Sequence, residues 1–296
     1  MSENPFKSVF NFYLYSNLHV ALCGISLMGL TQLIFSYELR PELYIFVFCG
    51  TFFLYSLQRL PSAFQQKKID SEFIRHKWNL DHKYFLVVTS IITALASCWS
   101  FFHLYHRSQI ISLLPAMLSF AYAFPVLPIK AKWKRLREIP VLKIFIVAIV
   151  WGMISVLLPA TAADPTGTNW VSVPVIIWFV IFCVMIFGHT IPFDIRDLYY
   201  DGEKLKTIPA IAGIKKSILI SLFAFLVFDA GVFFLHNQYG TGTIYQGIAI
   251  VLWSIVAGIV VARSTPERKE YYFSFTMDGL LILLWGMVKL ATLAGN

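Results

Sequence analysis

The sequence predicts an all-α integral membrane protein of about nine transmembrane helices, with its N-terminus cytoplasmic and its C-terminus outside. Three observations carry this. Of 296 residues, 58% are hydrophobic and only 14% are charged, a balance found neither in soluble cores nor in disordered chains. Apolar runs long enough to cross a bilayer recur along the whole chain. The Lys and Arg residues gather in alternate connections between those runs.

The runs fall at roughly 13–36, 42–58, 84–104, 108–128, 141–160, 171–190, 216–237, 243–262 and 272–293. No stretch reads as a separate soluble unit, so residues 1–296 are expected to form a single polytopic membrane domain. The first run lacks a small-residue cleavage pattern and reads as a span rather than a signal peptide. With the N-terminus inside, 21 of the 24 Lys and Arg fall on the inner face, between Arg59 and Lys83, Lys130 and Lys143, Arg196 and Lys216, Arg263 and Lys269, and at Lys7. Only Arg40 and Arg107 fall outside, and Lys289 lies within the last run. The net charge of +8 is therefore topological. The lipid bilayer is the expected partner and nucleic acid is excluded; a basic cytoplasmic face suits a bacterial inner membrane.

Taken in order, the first run opens with the polar residues Asn11, Asn17 and His19, which suit helix–helix contacts or a cavity lining. Arg40-Pro41 marks an outer turn. The second run ends in Ser56-Leu57-Gln58-Arg59, where the Arg59 cation can meet a diphosphate or a carboxylate, and a basic loop follows. The third and fourth runs join at His106-Arg107-Ser108. The fourth ends in Tyr122-Ala123-Phe124-Pro125-Val126-Leu127-Pro128-Ile129-Lys130, whose prolines break the helix before a second basic loop. Lys143 lies just inside the fifth run. It either snorkels to the interface or points into a polar cavity.

Thr161 to Asn169 forms a turn-rich outer connection. The sixth run passes through His189-Thr190 and Pro192 into an acidic stretch. Cys23, Cys49, Cys98 and Cys183 lie in apolar runs without metal-ligand spacing and read as packing residues. Asp229, Asp278 and Lys289 are isolated charges in the last runs, each expected to meet a partner on another helix. They are the only support for a transporter, whose internal repeat is not evident.

The acidic stretch carries Asp194, Asp197 and Asp201 at i, i+3 and i+7, one face of a helix. Three carboxylates on one face repel each other unless something positive sits among them. Two readings fit: a site for a hard divalent cation such as Mg²⁺, which takes oxygen ligands and bridges to substrate phosphates, or a solvated helix end. Lys204 and Lys206 follow closely. Carboxylates for Mg²⁺ beside ammonium groups are what a diphosphate requires.

At these residues the chain resembles the UbiA-type intramembrane prenyltransferases. Asp194-x-x-Asp197-x-x-x-Asp201, then Gly202 and Lys206-Thr207-Ile208-Pro209, is similar to the family's second aspartate motif and its tail. Tyr122 to Lys130, then Arg137-Glu138-Ile139-Pro140-Val141-Leu142-Lys143, resembles its middle region. The resemblance covers nearly the whole chain and implies a UbiA-like bundle. It departs at the first motif: Ser56-Leu57-Gln58-Arg59-Leu60-Pro61-Ser62-Ala63-Phe64-Gln65 has no carboxylate, and Asp70 and Glu72 lie farther along the loop.

The resemblance implies transfer of an isoprenyl group from a prenyl diphosphate to a lipophilic acceptor, an aromatic or quinone-precursor ring. It implies Mg²⁺ on Asp194, Asp197 and Asp201, and substrate contacts from Arg59, Tyr122, Lys130, Lys143, Lys204 and Lys206. The missing first motif motivates the alternative of an inactive relative that binds or scaffolds an isoprenoid or lipid.

Overall fold

The computed structural model describes residues 5–64, 74–129, 132–139, 141–164, 171–201 and 207–295. Its helices are α1 (Pro5–Tyr15), α2 (Leu18–Phe35), α3 (Pro41–Phe64), α4 (Ile74–Asp81), α5 (Lys83–His103) and α6 (His106–Ala123). There follow α7 (Leu142–Gly152), which runs through a π turn (Met153–Leu157) into α8 (Leu158–Ala163), and α9 (Val173–Asp201). The last are α10 (Ile208–Ala212), α11 (Ile214–Tyr239), α12 (Ile244–Ala262) and, after a second π turn (Tyr272–Met277), α13 (Asp278–Ala294).

Helices dominate because a bilayer offers no water to satisfy backbone N–H and C=O groups, and a helix satisfies its own. Local chemistry sets the ends. Pro41 opens α3 at a position where no N–H is needed. Thr243 and Gln246 exchange side-chain and backbone hydrogen bonds across the start of α12, a reciprocal cap. Gly240, at φ 65, closes α11 in the left-handed region that favours glycine.

Among the described residues, eight helices are long and apolar enough to cross a membrane. Every expected run is helical, but α6, the expected fourth span, is not among the eight. Its 18 residues include His106, Arg107, Gln109, three serines and Pro115. The first run also differs. It is broken at Asn17, whose φ of 78 ends continuity between α1 and α2. Asparagine tolerates that conformation, and its Nδ2 donates to Ser56 Oγ at 2.8 Å. The helix of the fourth run stops at Ala123 rather than continuing to 128. Leu127–Ile129 pairs antiparallel with Lys132–Lys134, so part of the expected basic loop is a small hairpin in an otherwise helical chain.

The helices pack in a closed sequence, α2 on α3, α3 on α6, α6 on α7, α7 on α9, α9 on α11, α11 on α12, α12 on α13 and α13 on α2. The largest buried cluster lies where α2, α9, α11, α12 and α13 meet, around Trp178, Trp253, Phe182 and Phe228. Both indole N–H groups find partners there, Thr31 Oγ1 at 2.9 Å and the Leu280 carbonyl at 2.7 Å. Apolar side chains on the outer faces, such as Ile91 and Leu95 of α5 and Leu252 and Ile259 of α12, are exposed, as lipid-facing positions should be.

Candidate functional site

Between α2, α3, α7, α9 and α13 lies a cavity of about 670 Å³, within the size range of small-molecule sites. Its polarity changes along the helices. On α3 the lining runs from Thr51 to Arg59, on α7 and its π turn from Ile154 to Lys143, and on α9 from Ile186 to Asp197. Each helix thus contributes apolar or weakly polar side chains at one end and charge at the other. Ile154 and Lys143 are eleven residues apart, about 16 Å along a helix.

The charged end is built on α9. Asp194 and Asp197 do share a face, as their spacing predicts, and what sits between them is Lys143. Its Nζ is 2.9 Å from Asp194 Oδ1 and 2.8 Å from Asp197 Oδ2. Arg196 grips the other oxygen of Asp197, with Nε at 3.0 Å and Nη2 at 2.9 Å from Oδ1. The Arg196 guanidinium lies over the Phe193 and Phe273 rings, 5.6 and 5.5 Å from their centroids, which adds cation–π attraction. Asp194 is only 3% exposed. Removing one partner from a buried ion cluster of this kind costs about 3–5 kcal/mol, because the remaining charge is left uncompensated.

Lys143 reaches this position through a strained entry. Val141, the residue before α7, has φ 61, a conformation that a β-branched residue avoids. Of the two readings of Lys143, the cavity is the one realised.

Around this core, Arg59 lines the cavity and donates from Nη1 to the Tyr15 carbonyl at 2.9 Å, satisfying a backbone group at the C-terminal end of α1. Tyr122 also lines it. Lys130, Lys204 and Lys206 lie outside the described residues. Asp201 is the last residue of α9, and its side chain lies outside the described part. The stretch corresponding to the first motif is occupied otherwise: Ser56 is engaged with Asn17, and Gln58 and Arg59 face the cavity.

Several lining residues carry no spacing signal in the sequence. Arg75 and Arg137 come from loop-proximal segments, and Asp278 starts α13 immediately after the second π turn. Glu270 pairs with Arg75 at 3.1 Å and lies 3.8 Å from Arg196. Burial pushes its carboxyl up, but the two guanidinium groups outweigh this and hold it below its ordinary value. His189 is 3% exposed and neither ring nitrogen has a hydrogen-bond partner among the described residues. The other isolated charges lie apart from Lys143. Asp229 accepts from Ser254 Oγ of α12 at 2.7 Å, the partner on another helix that its position predicts, and Lys289 lies over the Trp285 ring of its own helix.

The fit to Mg²⁺ follows from this geometry. Among the described residues, no three His, Cys, Asp or Glu side chains come together. Mg²⁺ commonly takes one or two carboxylates together with substrate phosphates, so Asp194 and Asp197 are the pair that decides the fit. The gap between Asp194 and Asp197 is spanned by an ammonium group. Asp194 and Asp197, the two expected ligands whose side chains are described, are thus ion-paired with Lys143, and the third, Asp201, lies outside the described side chains.

No family model and no curated protein matches the sequence. Solved structures do match the fold. A UbiA homologue from Archaeoglobus fulgidus bound to GPP and Mg²⁺ superimposes with a TM-score of 0.65 at 12% identity, covering 95% of this chain and 99% of that one. A UbiA homologue from Aeropyrum pernix K1 gives 0.66 at 14% identity, covering 93% and 98%. A structure of digeranylgeranylglyceryl phosphate synthase gives 0.54 at 17% identity, covering 96% of each chain. At these identities the likeness is one of fold, and the chain has the multi-span helical fold of the UbiA-family prenyltransferases.

Proposed function

We propose that this protein binds a prenyl diphosphate with its head group at the charged end of the cavity and its isoprenyl tail along α7 and α3, and transfers the prenyl group to a lipophilic acceptor. The observation that carries this reading is the polarity gradient of one cavity, from Lys143, Arg59 and Arg196 to Trp151 and Ile154. The relatives of known structure that bind GPP and DMAPP support the substrate class. The distribution of Lys and Arg supports placing the charged end on the cytoplasmic side.

In the reaction, the bond between the prenyl C1 and the diphosphate oxygen breaks, and its electron pair leaves with the diphosphate. Arg59, Arg137 and Arg196 lower the energy of the developing charge on that leaving group. The allylic cation is shielded by aromatic faces, for which Tyr55, Tyr122 and Phe193 line the cavity. The acceptor forms the new bond at C1, and its proton passes to the departing diphosphate.

A second reading, binding without transfer, is favoured by the neutral stretch at Ser56, where the resemblance would place carboxylates. The two separate in one assay. Purified protein is incubated with geranylgeranyl diphosphate and a panel of hydroxybenzoate and naphthoate acceptors, and released diphosphate is measured. Release that falls at least a hundredfold in Asp197→Asn supports transfer. Tight binding without release supports the second reading, and failure to bind overturns both.

A further inference from the structure

We infer that Lys143 stands in this site where a metal ion would otherwise be needed, so that the cavity recognises a diphosphate with protein cations and without a divalent ion. This deepens, and rests on, the prenyl diphosphate reading.

Asp194 and Asp197 project from one face of α9 and would repel any phosphate brought near them. Mg²⁺ solves this by binding carboxylate and phosphate oxygens together. Here the same work falls to an ammonium group within 3 Å of both carboxylates. An ammonium carries three N–H donors. One is donated to Asp197 Oδ2 and the ammonium is ion-paired with Asp194 Oδ1, which leaves donor capacity for a ligand oxygen in the cavity that Lys143 lines.

Charge count agrees. Among the described residues, five basic side chains line the cavity against four acidic ones. The described part of the wall is therefore positive by one charge, a sign that attracts a diphosphate without added metal. A site with carboxylates in both motifs and no lysine between them would be net negative and would need divalent cations to reverse its sign. The Ser56–Arg59 stretch belongs to the same logic: it carries no carboxylate and puts a guanidinium in the lining.

The arrangement is also built rather than incidental. Val141 holds a positive φ immediately before the helix that carries Lys143. Arg196 is locked by Asp197 and by two aromatic rings, so it keeps Asp197 oriented toward Lys143.

The test is equilibrium binding of farnesyl thiodiphosphate, a slowly reacting analogue, to the full chain in detergent. It is run with excess EDTA and with millimolar Mg²⁺, for the wild type and for Lys143→Met. The inference expects wild-type affinity to agree within about threefold in the two media. It expects Lys143→Met to lose at least tenfold in EDTA and to recover affinity in Mg²⁺, because vacated carboxylates can then take the ion. Stoichiometric Mn²⁺ binding, read by electron paramagnetic resonance, is expected in Lys143→Met and not in the wild type. Wild-type binding that requires Mg²⁺, or wild-type protein that takes up Mn²⁺ at this site, overturns the inference while leaving the substrate class standing. No binding in either medium overturns the prenyl diphosphate reading and the inference with it. The wild-type arms decide the matter even if Lys143→Met does not fold.

Discussion

Ser221 Oγ on α11 donates to the Gly188 carbonyl on α9 at 2.6 Å. Pro192 explains why. Lacking an N–H, it cannot bond the carbonyl four residues earlier, and that carbonyl is Gly188. The neighbouring helix can come close enough to replace the missing donor because Gly188 has no side chain. A Cβ there would lie 2.7 Å from Ala224 Cβ and 3.0 Å from the Ser221 carbonyl oxygen. The segment of α9 that carries Asp194 and Asp197 is thus fixed against α11 about two turns before the site.

Ser221→Ala is therefore expected to lower stability by about 1–3 kcal/mol, the cost of a buried unsatisfied carbonyl. Pro192→Ala restores an N–H in line with Gly188, so in that background the cost of Ser221→Ala should shrink. A double-mutant cycle by thermal unfolding in detergent checks this. Additive losses would show that the serine acts elsewhere.

Val141→Gly should relieve backbone strain at the entry to α7 and raise stability by about 1 kcal/mol. It should also loosen Lys143, so prenyl diphosphate affinity should fall severalfold while the melting temperature rises. Opposite movement of the two readouts is the signature; a parallel fall would contradict strain at this residue.

Glu270 supplies a pH dependence. Its carboxyl is held below its ordinary value in the folded protein, so its pairing with Arg75 and Arg196 contributes fully above the unfolded carboxylate pKa of about 4.3 and is lost as pH falls through the lower folded value. Glu270→Gln should cost about 1–3 kcal/mol at pH 7. The gap between variant and wild type should stay constant down to about pH 5 and close below the unfolded pKa. Unfolding curves across pH 3–7 test the sign.

His189→Leu should stabilise the protein by about 1–2 kcal/mol, because it removes a buried ring with no hydrogen-bond partner among the described residues. A clear loss of stability would reveal a partner for the imidazole.

The sequence foretold the helices well because lipid exposure demands apolar runs: each of the nine runs holds a helix, though α6 stops short of the end of its run and is not among the eight long, apolar ones. It missed the break at Asn17 because hydropathy does not register one residue's φ when apolar residues continue on both sides. The carboxylate spacing predicted one face for Asp194, Asp197 and Asp201 and a positive charge among them unless that face is solvated; for Asp194 and Asp197 the shared face and the charge are present. It could not say which charge. Lys143 is remote in sequence, and whether it snorkels or turns inward depends on packing between α7 and α9. The Ser221–Gly188 bond was hidden for the same reason, since Pro192 announces a free carbonyl but not which helix answers it.

The central claim is that a prenyl diphosphate lies in this cavity, head group at Lys143 and tail toward Ile154. Photolabelling with a geranyl diphosphate that carries a diazirine at the tail end, followed by peptide mass spectrometry, tests it most directly. The account predicts label on α7 and its π turn, between Val147 and Ile154, and on α3 near Thr51, competed away by excess unlabelled geranyl diphosphate. Label confined to lipid-facing residues such as Ile91 and Leu95, or label that excess ligand does not displace, would contradict it.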